Sequence, residues 1–121
     1  MDVHLLLSLF HIFAVVPFFL YIALNRASTT ETVYRVAFVI GLVITLYHAY
    51  KAFLKWKAGS QSLWVNLIHM LFIGPLLIYI GYSQDQTPRA GYELLALAGF
   101  GALGYHIYHL IVSLNVIEKK D

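Results

Sequence analysis

Residues 11–22 read HIFAVVPFFLYI, and residues 69–80 read HMLFIGPLLIYI. Each stretch opens on a histidine, sets a proline six residues later and a tyrosine four beyond that, and is otherwise apolar. The apolar residues run on without the two-residue alternation that a membrane-barrel strand needs. Extended in both directions, the two stretches become apolar segments over residues 3–24 and 63–82, and two more cover 32–55 and 92–116. A helix that crosses a bilayer needs about 20 mostly apolar residues, so all four qualify. The breaks at 25–31, 56–62 and 83–91 carry the Ser, Thr, Asp, Gly and Pro residues that punctuate helices. They are short, which predicts antiparallel neighbours. The reading is an all-α, polytopic membrane four-helix bundle, up-down-up-down, forming one membrane domain over residues 1–121.

Composition agrees. The chain is 60% hydrophobic and 12% charged, with a mean hydropathy of +0.74, against about 25% charged residues in a soluble domain. A domain this small cannot hide so much apolar surface in a core of its own, so the lipid bilayer is the partner it implies. The absence of cysteine excludes disulfides, thiolate metal sites and thiol nucleophiles. A net charge of +2 with no basic stripe excludes a nucleic-acid footprint. The first segment has no basic leader, contains His4, Ser8, His11 and Pro17, and is followed by no small-residue cleavage site, so it reads as a retained helix. Lys55, Lys57, Lys119 and Lys120 fall on the side of the termini, and Arg26 and Arg89 on the other, with Arg35 a turn inside. That bias predicts cytoplasmic termini in a multi-pass integral membrane protein. Trp56, Trp64 and Tyr82 suit an interfacial belt.

The two quoted stretches belong to a longer repeat. A shift of 58 residues also lays Tyr34 on Tyr92, Gly41 on Gly99, and YHAY at 47–50 on YHIY at 105–108, with 12 identities over the 46 positions from residue 5 to residue 50. Apolar composition alone would match Leu and Ile; it would not readily match His, Pro, Tyr and Gly together. The repeats are about 1–58 and 59–121. Each holds an even number of spans, so both enter the membrane in the same direction, related by a pseudo-two-fold axis along the membrane normal.

His11 and His69 each lie about 17 residues before the turn that follows them, and His48 and His106 about 20 after the turn that precedes them, so at 1.5 Å per residue the four fall in roughly one layer. Their faces are polar. At 100° per residue His4 and Ser8 share the face of His11; Gly41, Thr45, Lys55 and the flanking Lys51 that of His48; Ser62 and Asn66 that of His69; Gly99, Ala102, His109 and Ser113 that of His106. Tyr34 and Tyr92 fall on the same faces. Polar side chains are expensive in lipid and turn inward, which predicts a four-histidine layer in the interior.

Such a layer suits a transition metal, since imidazole binds Zn, Cu and Fe. Two histidines from pseudo-symmetric helices suit the axial positions of haem b. His11, His48, His69 and His106 are the candidate ligands, for electron transfer, metal handling or sensing. Ser8, Thr45 and Asn66 are candidates to fix imidazole tautomers. Gly41 and Gly99 leave room for a porphyrin edge or for close helix packing. His4, Lys51 and His109 continue a polar lining toward the termini, although Lys51 equally suits snorkelling. The alternative is a small proton or cation channel or transporter that uses the same histidines as protonatable groups. A structural or accessory membrane protein, its histidines bonding only between helices, is a third. Pro17 and Pro75 predict kinks beside the histidines, and Tyr47 and Tyr50 flank the core.

Acids lie only at the ends of the spans, at Glu31, Asp85 and Glu93, and no nucleophile elbow, phosphate loop or HExxH motif occurs, which points away from an enzyme. A homo-oligomer that completes the site stays open at this level. The H-x5-P-x3-Y and YHxY pattern, spread over nearly the whole chain, resembles small uncharacterised four-helix membrane proteins of large algal DNA viruses; the resemblance implies no activity and assigns no residue. Haem-binding four-helix membrane cytochromes are similar only in pairing histidines within a bundle, an analogy of architecture.

Overall fold

The computed structural model describes residues 3–120, with the side chains of 116–118 and 120 outside the description, that of Lys120 on the basic side included. Helix dominates, and no strand occurs among the described residues. The four helices, each long and apolar enough to cross a membrane, are α1 (Val3–Ser28), α2 (Glu31–Ala58), α3 (Leu63–Gln86) and α4 (Arg89–Lys120). Large apolar side chains stand outward along all four, among them Phe13, Leu46, Leu71 and Leu97 at 65–75% exposure. An aqueous surface of that kind far exceeds the apolar patches that soluble monomers show.

The helices run past the apolar segments on which they centre. Helix α2 starts at Glu31 and ends at Ala58, and α4 starts at Arg89. Hydropathy marks the residues that suit lipid, whereas a helix continues until its backbone groups find a cap. For α2 the caps are explicit. Thr30 is extended and its Oγ1 accepts from the Val33 N–H at 3.4 Å. At the other end Gly59 takes the left-handed conformation at φ 67°, and the Gly59 and Ser60 N–H groups return to the Trp56 and Lys55 carbonyls. That is the glycine termination expected of a helix followed by a turn. Glu31 in the first turn and Lys55 and Lys57 in the last oppose the helix dipole.

Helices α1 and α3 end differently. Each closes with a short 3-10 turn, Arg26–Ser28 and Gln84–Gln86, entered through a positive-φ residue that is not glycine: Arg26 at φ 49° and Gln84 at φ 51°. A positive φ costs a residue with a side chain about 1–3 kcal/mol, and side-chain hydrogen bonds at the same carbonyls offset it. The Tyr34 hydroxyl donates to Arg26 O at 2.7 Å, and the Thr87 hydroxyl donates to Gln84 O at 2.7 Å. The two residues lie 58 apart, and nothing in their identities announces the turn.

The chain packs as two compact units: Met1–Asn25 with Tyr92–Asp121, and Arg26–Gly91. These cut across the sequence repeats, since each unit takes helices from both. In the second unit α2 lies against α3. Phe38 meets Gly81, Gly41 meets Ile78, Thr45 meets Gly74 and His48 meets His69, so the partner number falls as the first rises and the pair is antiparallel. Small residues set the approach. A Cβ built on Gly81 would stand 2.5 Å from the Phe38 backbone nitrogen, and one on Gly41 2.8 Å from that of Ile78. In lipid, where apolar side chains gain little by leaving their solvent, this backbone-to-backbone approach supplies the dispersion contact that holds helices together. In the first unit α1 and α4 are antiparallel by the same reasoning, with Gly99 against Leu20 and Phe19, and His11 against His106.

Candidate functional site

Both histidines that open the quoted stretches begin a π-helical turn. His11–Val15 and His69–Ile73 are each five residues of π-helix, followed at once by the residue before proline and then by Pro17 or Pro75. A proline has no N–H and its ring crowds the preceding turn. The helix widens ahead of it: Val16 N–H donates to His11 O and Gly74 N–H to His69 O, both five residues back. Single π-turns inside α-helices concentrate at functional sites. The kink expected from the sequence is therefore a local rewinding that begins at the histidine itself.

The structure brings the four expected histidines together two by two, one pair within each unit. The His11 and His106 rings stack at 4.2 Å between centroids and 22° between planes. The His48 and His69 rings stack at 4.3 Å and 19°. Each stack joins a ring from a π-turn to a ring from a YHxY segment, so unlike positions of the repeat are paired. In both YHxY segments the preceding tyrosine, Tyr47 or Tyr105, meets the histidine edge-on at 5.1 Å. His106 is buried, and His11, His48 and His69 are half-buried.

Hydrogen bonds fix which nitrogen carries the proton. His11 Nδ1 lies 2.8 Å from Leu7 O and His69 Nδ1 2.7 Å from Val65 O. A carbonyl only accepts, so both rings are protonated at Nδ1 and hold the lone pair at Nε2. His48 is the reverse. The Asn66 amide nitrogen donates to His48 Nδ1 at 2.9 Å, which places the ring proton on Nε2. The stack in the second unit therefore pairs two opposite tautomers.

The remaining expected residues divide. Asn66 is buried and does fix a tautomer, that of His48 on the neighbouring helix. Ser8, which the repeat lays on Asn66, is buried too. The Thr45 hydroxyl goes to Gly41 O at 2.8 Å on its own helix and serves no imidazole. His109 packs on its own helix, against Tyr105 at 4.4 Å and Tyr108 at 5.4 Å. His4 is exposed and Lys51 half-buried. The space that Gly41 leaves is filled by Ile78 and by the Gly74 carbonyl, and that beside Gly99 by Leu20 and Phe19, which is close packing of helices.

Ring geometry bears on what the pairs can hold. Two imidazoles on one ion, each at about 2 Å, must aim their in-plane lone pairs at a common point. Nearly parallel rings about 4 Å apart aim theirs side by side. Axial ligands of a haem must face one another across the iron, which stacked rings do not. As arranged, neither pair fits a shared metal or an axial couple. Among the described residues no three His, Asp or Glu side chains gather as a metal site. What stacking does suit is a single added proton: one ring becomes a cation lying on the face of a neutral aromatic neighbour, while two charged rings at this distance repel. The π-turns, the pairing and the opposed tautomers had no signal in the sequence beyond the spacing of His and Pro. Comparison of the chain with protein-family models, with curated proteins and with solved structures finds no match.

Proposed function

We propose that this chain is a multi-pass integral membrane protein that moves protons, or a small cation coupled to them, across the bilayer, with the two stacked histidine pairs as its protonatable groups. The observation that carries the reading is the stacking of His11 with His106 and of His48 with His69, inside helices that are otherwise long, apolar and free of acidic residues at their centres. Intramembrane ionisable side chains mark ion and proton pathways, and imidazole is the group that changes charge between pH 5 and 8. The test is proton flux into liposomes that contain the purified protein and a trapped pH indicator. Flux is expected to rise as the outer pH falls through about 6–7, the range in which imidazole titrates. Flux no greater than that of empty liposomes would sink the proposal.

The reading includes the up-down-up-down course of the spans, the two tandem parallel repeats about a pseudo-two-fold axis along the membrane normal, and cytoplasmic termini. The absence of cysteine makes the topology direct to measure, since one introduced thiol reports alone. Ser28→Cys and Gln86→Cys, at the ends of α1 and α3, are expected to react with a membrane-impermeant maleimide in intact cells. Gln61→Cys, in the turn between α2 and α3, is expected to react only after permeabilisation. Labelling of Gln61→Cys in company with the other two would overturn the up-down course.

A further inference from the structure

Asn66 is one of the most enclosed polar side chains of the chain, at 4% exposure, and only half of its amide is used. Its Nδ2 donates to His48 Nδ1 at 2.9 Å, while its Oδ1 is buried and has no hydrogen-bond partner. A buried acceptor left without a donor is costly and normally has a reason. The reason here follows from the ring it touches. Neutral His48 has its proton on Nε2, so its one basic nitrogen is Nδ1, the atom that Asn66 now covers with an N–H. A second proton can only go to Nδ1. When it does, two N–H groups would meet head-on, and that contact cannot persist.

We propose that Asn66 serves both charge states of His48 by turning its amide over. In the neutral state Nδ2–H donates to Nδ1. On uptake of a proton from water a new Nδ1–H bond forms, the Nδ2–H···Nδ1 hydrogen bond breaks, the amide rotates, and Oδ1 accepts from Nδ1–H in a charge-assisted hydrogen bond. The orphan oxygen is the acceptor held ready for the charged ring. His48 can then release its other proton from Nε2 to water, which passes a proton through the ring and leaves the amide in its second position.

His69 faces His48 across the stack and Tyr47 meets it edge-on, with Lys51 a turn further along α2. His69 Nδ1 donates to Val65 O, a bond that it keeps in either charge state. Ser8 stands at the equivalent place in the other repeat. A hydroxyl donates and accepts from one atom, so it can follow a ring by rotating its O–H alone.

The use of this device rests on the proton-moving reading, but its test does not. The full chain, labelled with 15N in histidine and asparagine and held in lipid nanodiscs, is titrated from pH 8 to pH 5 by NMR. At pH 8 His48 is expected as a single tautomer protonated at Nε2. The Asn66 side-chain amide resonances are expected to move with the same midpoint as His48 Nδ1. In Asn66→Leu the tautomer of neutral His48 is expected to become mixed, and in Asn66→Asp its proton is expected on Nδ1 at pH 8. Asn66 resonances that stay fixed while His48 becomes charged would overturn the inference, as would a His48 that stays neutral throughout. The first measurement needs no variant, so a variant that fails to fold leaves it decisive. Liposomes without flux alongside an amide that tracks His48 would overturn the proposed function and leave this device standing.

Discussion

Gly81→Ala is expected to separate α2 from α3 and to abolish the stable fold of the second unit, with Gly41→Ala close behind it. Two effects oppose each other in these variants. Alanine is a better helix former than glycine by about 1 kcal/mol, which alone would stabilise either helix. The new methyl, however, would stand 2.5 Å from Phe38 N and 2.7 Å from Phe38 Cα at Gly81, and 2.8 Å from Ile78 N and 2.9 Å from Gly74 O at Gly41. Real Cβ atoms do not approach backbone so closely, and a helix backbone cannot turn aside as a side chain can. The helices must move apart along their whole length, and every dispersion contact between them weakens at once. Overpacking of this kind costs about 1–3 kcal/mol where the surroundings can adjust, and more where they are backbone. Clash exceeds propensity. Gly99→Ala is the control: the repeat lays Gly99 on Gly41, but its nearest neighbour is the tip of the Leu20 side chain at 3.1 Å, which rotates away. Thermal denaturation in detergent, followed by the loss of the monodisperse species on size exclusion, is expected to rank Gly81→Ala and Gly41→Ala far below wild type and Gly99→Ala near it. Equal stability of all three would show that α2 and α3 are not in backbone contact.

The double variant His48→Ala/His106→Ala is expected to bring proton flux down to that of empty liposomes, a loss of at least tenfold. It removes one ring from each stack and leaves His11 and His69, whose Nδ1 atoms stay bonded to helix carbonyls. Those two rings keep a local hydrogen bond but lose the neighbour over whose face a charge could lie. His48→Gln/His106→Gln keeps polarity and hydrogen bonding in the same places without a group that charges near neutral pH. It is expected to fold like wild type and to conduct no better than the alanine pair. Wild-type flux in the glutamine pair would show that the histidines serve packing alone.

The four helices were legible because lipid asks for one property over about 20 residues, and hydropathy measures it. Their ends were less so. Arg26 and Gln84 turn the chain at positive φ, which favours glycine, and Tyr34 and Thr87 bond the carbonyls there. No local rule connects residue 34 to the conformation of residue 26. The candidate histidines were legible from their spacing within the apolar segments, and the structure pairs them two by two. Their partners were not, because helical faces give direction but not which helix lies opposite. Pro17 and Pro75 pointed to a disturbance at the right place; that it takes the form of a π-turn opening on a histidine depends on backbone hydrogen bonds the sequence does not spell out. Asn66 was legible as polar on the inner face, while its half-used amide is visible only with His48 beside it.

The two histidine stacks also differ in when they can exist. His48 and His69 are 21 residues apart, joined through one short turn, whereas 95 residues separate His11 from His106. In order of synthesis, α2 can meet α3 as soon as the third helix has been made. Helix α1 is made before α2 and α3 but meets its partner after they have met: its contacts through His11 wait until α4 has been made. Contacts of long sequence separation form late and leave their surfaces exposed in the meantime. The face of α1 that meets α4 is therefore the one left uncovered longest while the four helices are made.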